Sequence, residues 1–243
     1  MWRQDIRKSE YAFAALKTVG LVLLAAYVFY DSPAAAAVLA PAGIFYMKDC
    51  ILDLEEKKEQ EFMVQFRDSI QAVASGLKAG YSVENSIRGA DRDLRAVYGP
   101  ETRIRKEYAL MARQLDMNMS AGAVLDQFAQ RTGQEDVENF VNVFASAKKS
   151  GGDSIAIIRN SVRLISGKID TEKEIRTMTA SQKLEFNIMC VVPFAIILYM
   201  KATFGEFLDA LYGSAAGVCV MTACLCIYAA AYRMGRRIIR IEV

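Results

Sequence analysis

The chain has 243 residues, 53% of them hydrophobic and 24% charged, with a net charge of +2 and no histidine. The missing histidine removes the commonest general base, the Ser–His and Cys–His nucleophile pairs, and the usual zinc, haem and non-haem iron ligands. So small a net charge gives no argument for a nucleic-acid partner, and a mean hydropathy of +0.15 beside an ordinary charged fraction requires the apolar residues to be segregated along the chain.

They are segregated. Met1 to Glu10 carries Arg3, Arg7 and Lys8 and precedes an apolar run, Tyr11 to Tyr30, long enough to cross a bilayer at roughly 20 residues per crossing. A signal peptide shares the basic start, but Asp31-Ser32-Pro33 predicts a tight turn into a second, shorter run, Ala34 to Met47. Two runs back to back read as a membrane hairpin over residues 11–47, the second completed by Ile51 and Leu54 or lying partly within protein. Lys17, inside the first run, reads as snorkelling toward the basic N-terminal side.

From Lys48 the composition turns polar, and residues 48–186 read as a cytoplasmic bundle of about six helices. Phe62, Phe66, Ile70, Val73 and Leu77 recur at spacings of three and four, one face of a helix that Gly80 stops. Ser82 caps the next, with Val83, Ile87, Ala90, Leu94 and Val97 as its stripe. Gly99-Pro100 breaks the chain, with Pro100 suited to a first helical turn before Ile104, Tyr108, Met111 and Leu115. Ser120 caps a short helix with Val124, Leu125 and Phe128, ended near Gly133. Val137, Phe140, Val141 and Phe144 mark a fifth helix, stopped at Gly151-Gly152, and Asp153 caps a sixth with Ile155, Ile158, Val162, Ile165 and Ile169. No strand pattern is present.

The sixth pattern runs without a breaker into a third apolar run, Asn187 to Met200, which contains Pro193, tolerated in a membrane helix. Lys201, a link with Glu206 and Asp209, and a fourth run, Gly213 to Tyr232, follow, making a second membrane hairpin over 187–232. Small residues from Gly213 to Gly217 favour close helix approach. The basic tail spans 233–243, with Arg233, Arg236, Arg237 and Arg240. Basic residues flank the N-terminus, the central domain and the tail, whereas the short links near Asp31 and Glu206 are acidic or neutral apart from Lys201. The positive-inside rule then puts both termini and the central domain in the cytoplasm, with four crossings.

One stretch occurs twice. Ala74 to Arg88 returns 71 residues later as Ala145 to Arg159, in the form A-S-x-x-K-x-G-x-[S/D]-x-x-x-x-I-R. Each copy reads as a helix end, a glycine stop, a cap and a new helix, which predicts two related helical hairpins. For chemistry the candidates are thin. Glu135, Asp136, Glu138 and Asp153 lack the density of a cation loop and read as a solvated surface. The glycines have no preceding strand and no GKS or GKT, so they are turns rather than a phosphate cradle. The five cysteines lack metal-ligand spacing: Cys190, Cys219, Cys224 and Cys226 lie in apolar runs as small hydrophobes, and Cys50 stands at a run's edge. No metal or cofactor is expected. Arg95, Arg103, Arg105 and Lys106 near the Gly-Pro break read first as a solvated face and second as a docking patch for an acidic partner.

The stretches LKAGYSVENSI, MNMSAGAVLDQFAQRTG and VFASAKKSGGDSIAIIRNSVRLI resemble the F domain of type II secretion systems, the platform family of type IV filament machines. Paired spans around one such domain, and the tail MGRRIIRIEV, resemble the TadB branch of tight-adherence (Flp) pilus systems, the similarity running roughly from Glu61 to the C-terminus. The resemblance implies a non-enzymatic, oligomeric scaffold in the bacterial inner membrane. It would couple a TadA-like cytoplasmic secretion ATPase to pilin subunits, beside a TadC-like partner or a second copy, in contact with membrane lipid and with no nucleic acid. It offers no catalytic residues. The turns Gly80, Tyr81 and Ser82, and Gly151, Gly152 and Asp153, with the bases Arg103, Arg105 and Lys106, are the candidate partner-binding positions. The competing readings are a small transporter or channel with a cytoplasmic regulatory domain, and a membrane enzyme. The first calls for charged groups deep in several spans and the second for a convergent set of nucleophile, base or metal ligands; the sequence displays neither.

Overall fold

The computed structural model describes residues 8–31, 35–150, 154–205, 212 and 214–239. Among them are eight helices and no strand: α1 (Lys8–Tyr30), α2 (Ala35–Lys78), α3 (Val83–Val97), α4 (Arg103–Asp116), α5 (Ala121–Thr132), α6 (Glu135–Ser150), α7 (Ser154–Thr203) and α8 (Ala215–Ile239). The chain divides into two compact units. One holds Glu55–Glu172, and the other holds Ile6–Leu54 with Lys173–Val243. Two helices are shared between the units without interruption, α2 at 44 residues and α7 at 50.

In the first unit a single cluster of buried side chains draws on six helical segments, from the C-terminal part of α2 to the N-terminal part of α7. The apolar stripes read from spacing supply it: Phe62, Phe66, Ile70, Val73 and Leu77 from α2; Ile104, Tyr108, Met111 and Leu115 from α4; Ile158, Val162, Ile165 and Ile169 from α7. Phe66 stands at its centre, its ring 6.2 Å from Phe128 and 6.0 Å, edge-on, from Phe140. Buried positions also coincide at the 71-residue offset: Ile70 with Val141, Val73 with Phe144, Ile87 with Ile158, and Leu94 with Ile165. At the same offset the buried Asp91 meets Val162, so one copy carries a carboxylate where the other carries an apolar side chain.

Two local expectations need correction. Val97 is 71% exposed, because it is the last residue of α3 before the extended Tyr98, and its stripe runs out there. Pro100 lies in the link rather than in the first turn of α4. That helix begins at Arg103 behind Thr102, whose hydroxyl donates back to the Gly99 carbonyl at 2.8 Å.

In the second unit, three helices are long and apolar enough to cross a membrane: α1, the C-terminal part of α7, and α8. Four were expected. The second run falls short among the described residues, because the apolar start of α2 is soon followed by Lys48 and Asp49, below the roughly 20 residues of a full crossing. The turn residues Ser32 and Pro33, and Glu206 and Asp209 of the second link, lie outside the described residues. Arg233 to Ile239 continue α8 rather than forming a separate tail. Cys219, Cys224 and Cys226 are exposed on α8, so they face outward from it instead of filling an interior.

Packing in this unit is sparse and uses rings and small residues. Val28, Phe29 and Met221 form a small cluster with Phe194 and Leu225. A Cβ on Gly43 of α2 would come within 2.8 Å of Val22 Cγ2 on α1, and one on Gly235 would meet the Phe186 ring. Helices approach closely where a side chain is missing. Polar contacts gather at the helix ends. Lys201 pairs with Asp31, lies 3.2 Å from the Tyr27 carbonyl and sits 3.6 Å from the centroid of the Tyr27 ring. Arg236 pairs with Asp53 at 2.6 Å and Asp49 at 3.4 Å. Lys201 is therefore a paired side chain, whereas Lys17 is exposed.

Candidate partner-binding site

The turn between α2 and α3 is built by three adjacent residues. Gly80 holds a φ of +87°, the left-handed region that closes a helix C-terminus. The Tyr81 N–H then donates to the Gly76 carbonyl and the Gly80 N–H to Leu77, each at 3.1 Å, which satisfies the last carbonyls of α2. Ser82, extended at φ −62° and ψ 160°, accepts the Asn85 N–H at 3.3 Å and opens α3.

The turn between α4 and α5 repeats this design. Asn118 takes a φ of +61°, the Met119 N–H donates to Gln114 and the Asn118 N–H to Leu115, each at 3.1 Å. Ser120 then accepts the Ala123 N–H at 3.3 Å. The sequence reading had Ser120 but not Asn118, although asparagine is the residue other than glycine that enters this region most readily. The two turns lie at the same end of the α3–α4 pair, because Arg88 of α3 pairs with Asp116 at the end of α4 at 3.0 Å.

They differ in one respect. Met119 packs against the core, whereas Tyr81, in the same place in its turn, is 62% exposed. Tyr81 thus presents an aromatic ring to the surface on a backbone locked from both sides. Met117, 68% exposed, caps the C-terminus of α4. Gly151, Gly152 and Asp153 lie outside the described residues.

Arg103, Arg105 and Lys106 do not join this end. They begin α4, and a 14-residue helix places them about 15–20 Å from its C-terminus. The Arg103 guanidinium donates to the Arg131 carbonyl at 2.8 Å, and Arg105 donates to the Tyr98 carbonyl at 3.0 Å. Both carbonyls lie at helix C-termini, where unsatisfied acceptors and the helix dipole favour a cation. These two arginines are therefore engaged within the fold. Lys106 is exposed and pairs with Glu101 at 3.0 Å.

Near that end runs a polar chain that sequence reading missed. Tyr98 donates its hydroxyl to Asp68 at 2.5 Å, Arg67 grips Asp68 at 2.9 Å, and Arg67 also pairs with Asp170 of α7. Burial, then the Asp68 hydrogen bond, push the Tyr98 phenol up to about 12. Burial alone would lower the Arg67 guanidinium, but the Asp68 and Asp170 carboxylates outweigh it and raise it. Lys168 of α7 donates to Asp136 at 2.8 Å, and that hydrogen bond raises its ammonium against burial. Asp136 thus serves as an interhelical anchor in the acidic first turn of α6. No three cysteine or carboxylate side chains converge as metal ligands among the described residues.

Residues 69–201 match the family Type II secretion system (T2SS), protein F, over more than half of the chain. The chain belongs to the type II secretion system protein F family. The match begins inside α2, takes in α3 to α6 and most of α7, and leaves α1 and α8 outside. It contains the candidate turns and basic positions, but the tail MGRRIIRIEV lies beyond it. Comparison with curated proteins and with solved structures found no match. Protein F family members are inner-membrane platform proteins rather than enzymes, and three apolar helices fit a membrane protein.

Proposed function

We propose that the chain is the inner-membrane platform of a tight-adherence pilus or type II-like secretion machine, of the TadB kind. It couples a cytoplasmic secretion ATPase to the insertion of pilin subunits into a filament. In this reading it works as an oligomer with a TadC-like protein or a second copy. The observation that carries it is the continuity of α2 and α7, each contributing an unbroken helix to both units. A displacement imposed on the helical unit by an ATPase then has two stiff paths into the apolar unit.

Tyr81 is the residue we assign to partner contact on the helical unit. Crosslinked co-purification from the native membrane should recover the ATPase through residues 61–183. Tyr81→Ala should reduce that yield several-fold while leaving the melting temperature unchanged, since the ring is largely in solvent. Gly80→Ala should lower stability by about 1 kcal/mol, through a left-handed backbone that alanine resists. Recovery of the protein only with itself, at good yield, would remove the platform reading.

A further inference from the structure

We propose that the membrane unit holds a binding site for an anionic phospholipid headgroup, formed where α2 and α8 leave their apolar segments. Two cations from different helices converge on one ring: Lys48 Nζ lies 5.8 Å from the Phe45 centroid, and Arg233 Cζ lies 5.2 Å from it. Phe45 is itself 53% exposed, so the cations flank an open aromatic surface rather than a filled interior. Neither Lys48 nor Arg233 has an ion-pair partner among the described residues. The neighbouring carboxylates, Asp49 and Asp53, are both taken by Arg236. Arg237 follows Arg233 by one turn, also exposed and without an ion pair among the described residues.

The patch is thus short of negative charge, and it is also amphipathic. Met234 and Ile238 are 68% and 67% exposed on the turns that carry Arg233 and Arg237. A free phosphate ion would use only the cations. A phospholipid uses the cations for its phosphate and the apolar side chains for its acyl chains, so the occupant is a lipid. Tyr46 and Tyr232, with ring centroids 6.4 Å apart, lie beside Phe45 and Arg233 in sequence, and aromatic rings of this kind settle at headgroup level. Juxtamembrane cations there attract anionic lipid. This inference stands apart from the platform reading: the ATPase experiment could fail and the lipid site remain.

The test uses the full chain in a neutral detergent, with lipid-bound states counted by native mass spectrometry. Phosphatidylglycerol and phosphatidylcholine of the same acyl chains are titrated in parallel, with inorganic phosphate as a third arm. Phosphatidylglycerol should bind in preference to phosphatidylcholine, and phosphate should not compete with it. Each cation removed should weaken binding about fivefold, so Lys48→Gln with Arg233→Gln should cost about twenty-five-fold. Arg92→Gln, which removes an exposed charge from the helical unit, should change nothing. The charge-keeping pair Lys48→Arg with Arg233→Lys should restore affinity, which separates a lost site from a damaged fold. Should the glutamine pair fail to fold, the unmodified protein still decides, because its preference for phosphatidylglycerol should collapse as salt rises. Undiminished binding by a folded glutamine pair, equal binding of the two lipids, or displacement by phosphate would overturn the proposal.

Discussion

Glycine at position 76 shows how one missing side chain sets the spacing of two helices. A Cβ there would stand 2.7 Å from Ser86 Oγ and 3.2 Å from Ser86 Cα, so α2 and α3 would have to separate. The repeat carries the point further, because the matching position is Ala147, 1% exposed, where a small residue is again enclosed. Gly76→Ala should cost about 1–3 kcal/mol by overpacking. Gly89, within α3, has nothing within 4 Å of a built Cβ, and Gly89→Ala should be neutral or stabilising by about 0.5–1 kcal/mol. Thermal unfolding of the two variants in detergent checks the contrast, and equal melting temperatures would show that the helix contact is looser than described. Spacing could not have separated these glycines, since both sit in helical pattern and only the neighbouring helix tells them apart. Asp91 went unnoticed for a related reason. It lies four residues after Ile87 on the buried face, and a carboxylate does not register as part of an apolar stripe. One of its oxygens accepts from Arg95 at 2.5 Å, and the other has no partner.

At the scale of elements, capped turns and side-chain chains do the joining. The link after α3 is held by Tyr98 on Asp68, and Asp68 by Arg67, which reaches α7 through Asp170. Tyr98→Phe removes the hydroxyl and should cost about 1.5–3 kcal/mol, the usual worth of a hydrogen bond to a charged group. The pH dependence follows from the direction of the shift. A phenol raised to about 12 in the folded chain, against about 10 when unfolded, adds stability that is fully present below pH 10. It is lost as pH climbs from about 10 to about 12, where both forms ionise. The stability gap between the wild type and Tyr98→Phe should therefore hold to pH 9 and close toward pH 12. A gap unchanged at pH 12 would mean that the Tyr98 hydroxyl does not titrate with the fold. The turns were half legible at this scale. Gly80, Ser82, Ser120 and Gly133 all announced themselves, and Gly133 does take the left-handed conformation at φ +55°. The contacts of Arg103 and Arg105 were not legible, because a basic run looks alike whether its cations face solvent or close over the carbonyls of neighbouring helices.

For the whole molecule the open quantity is topology. Three described helices satisfy the length and composition of a crossing, and the start of α2 packs against α1 at Gly43 without reaching that length among the described residues. Alkaline phosphatase, active only outside the cytoplasm, should be inactive when fused after Lys78 and active when fused after Gly205. Activity after Lys78 would place the helical unit outside the cytoplasm and remove the access of an ATPase to Tyr81.

The sequence by itself determined the class of the chain, the helical stripes and most helix stops. Those depend on local periodicity and backbone preference, which neighbouring residues carry in full. Its all-helical character and its membership of the protein F family were legible in the same way. Only the tertiary structure decided which glycine touches a helix, which arginine is engaged, and that Tyr81 stands free where Met119 packs. It also brought Lys48 and Arg233 onto one ring from positions 185 residues apart. Such pairings depend on the path of the chain through space, and no local pattern encodes the neighbour that a side chain will meet.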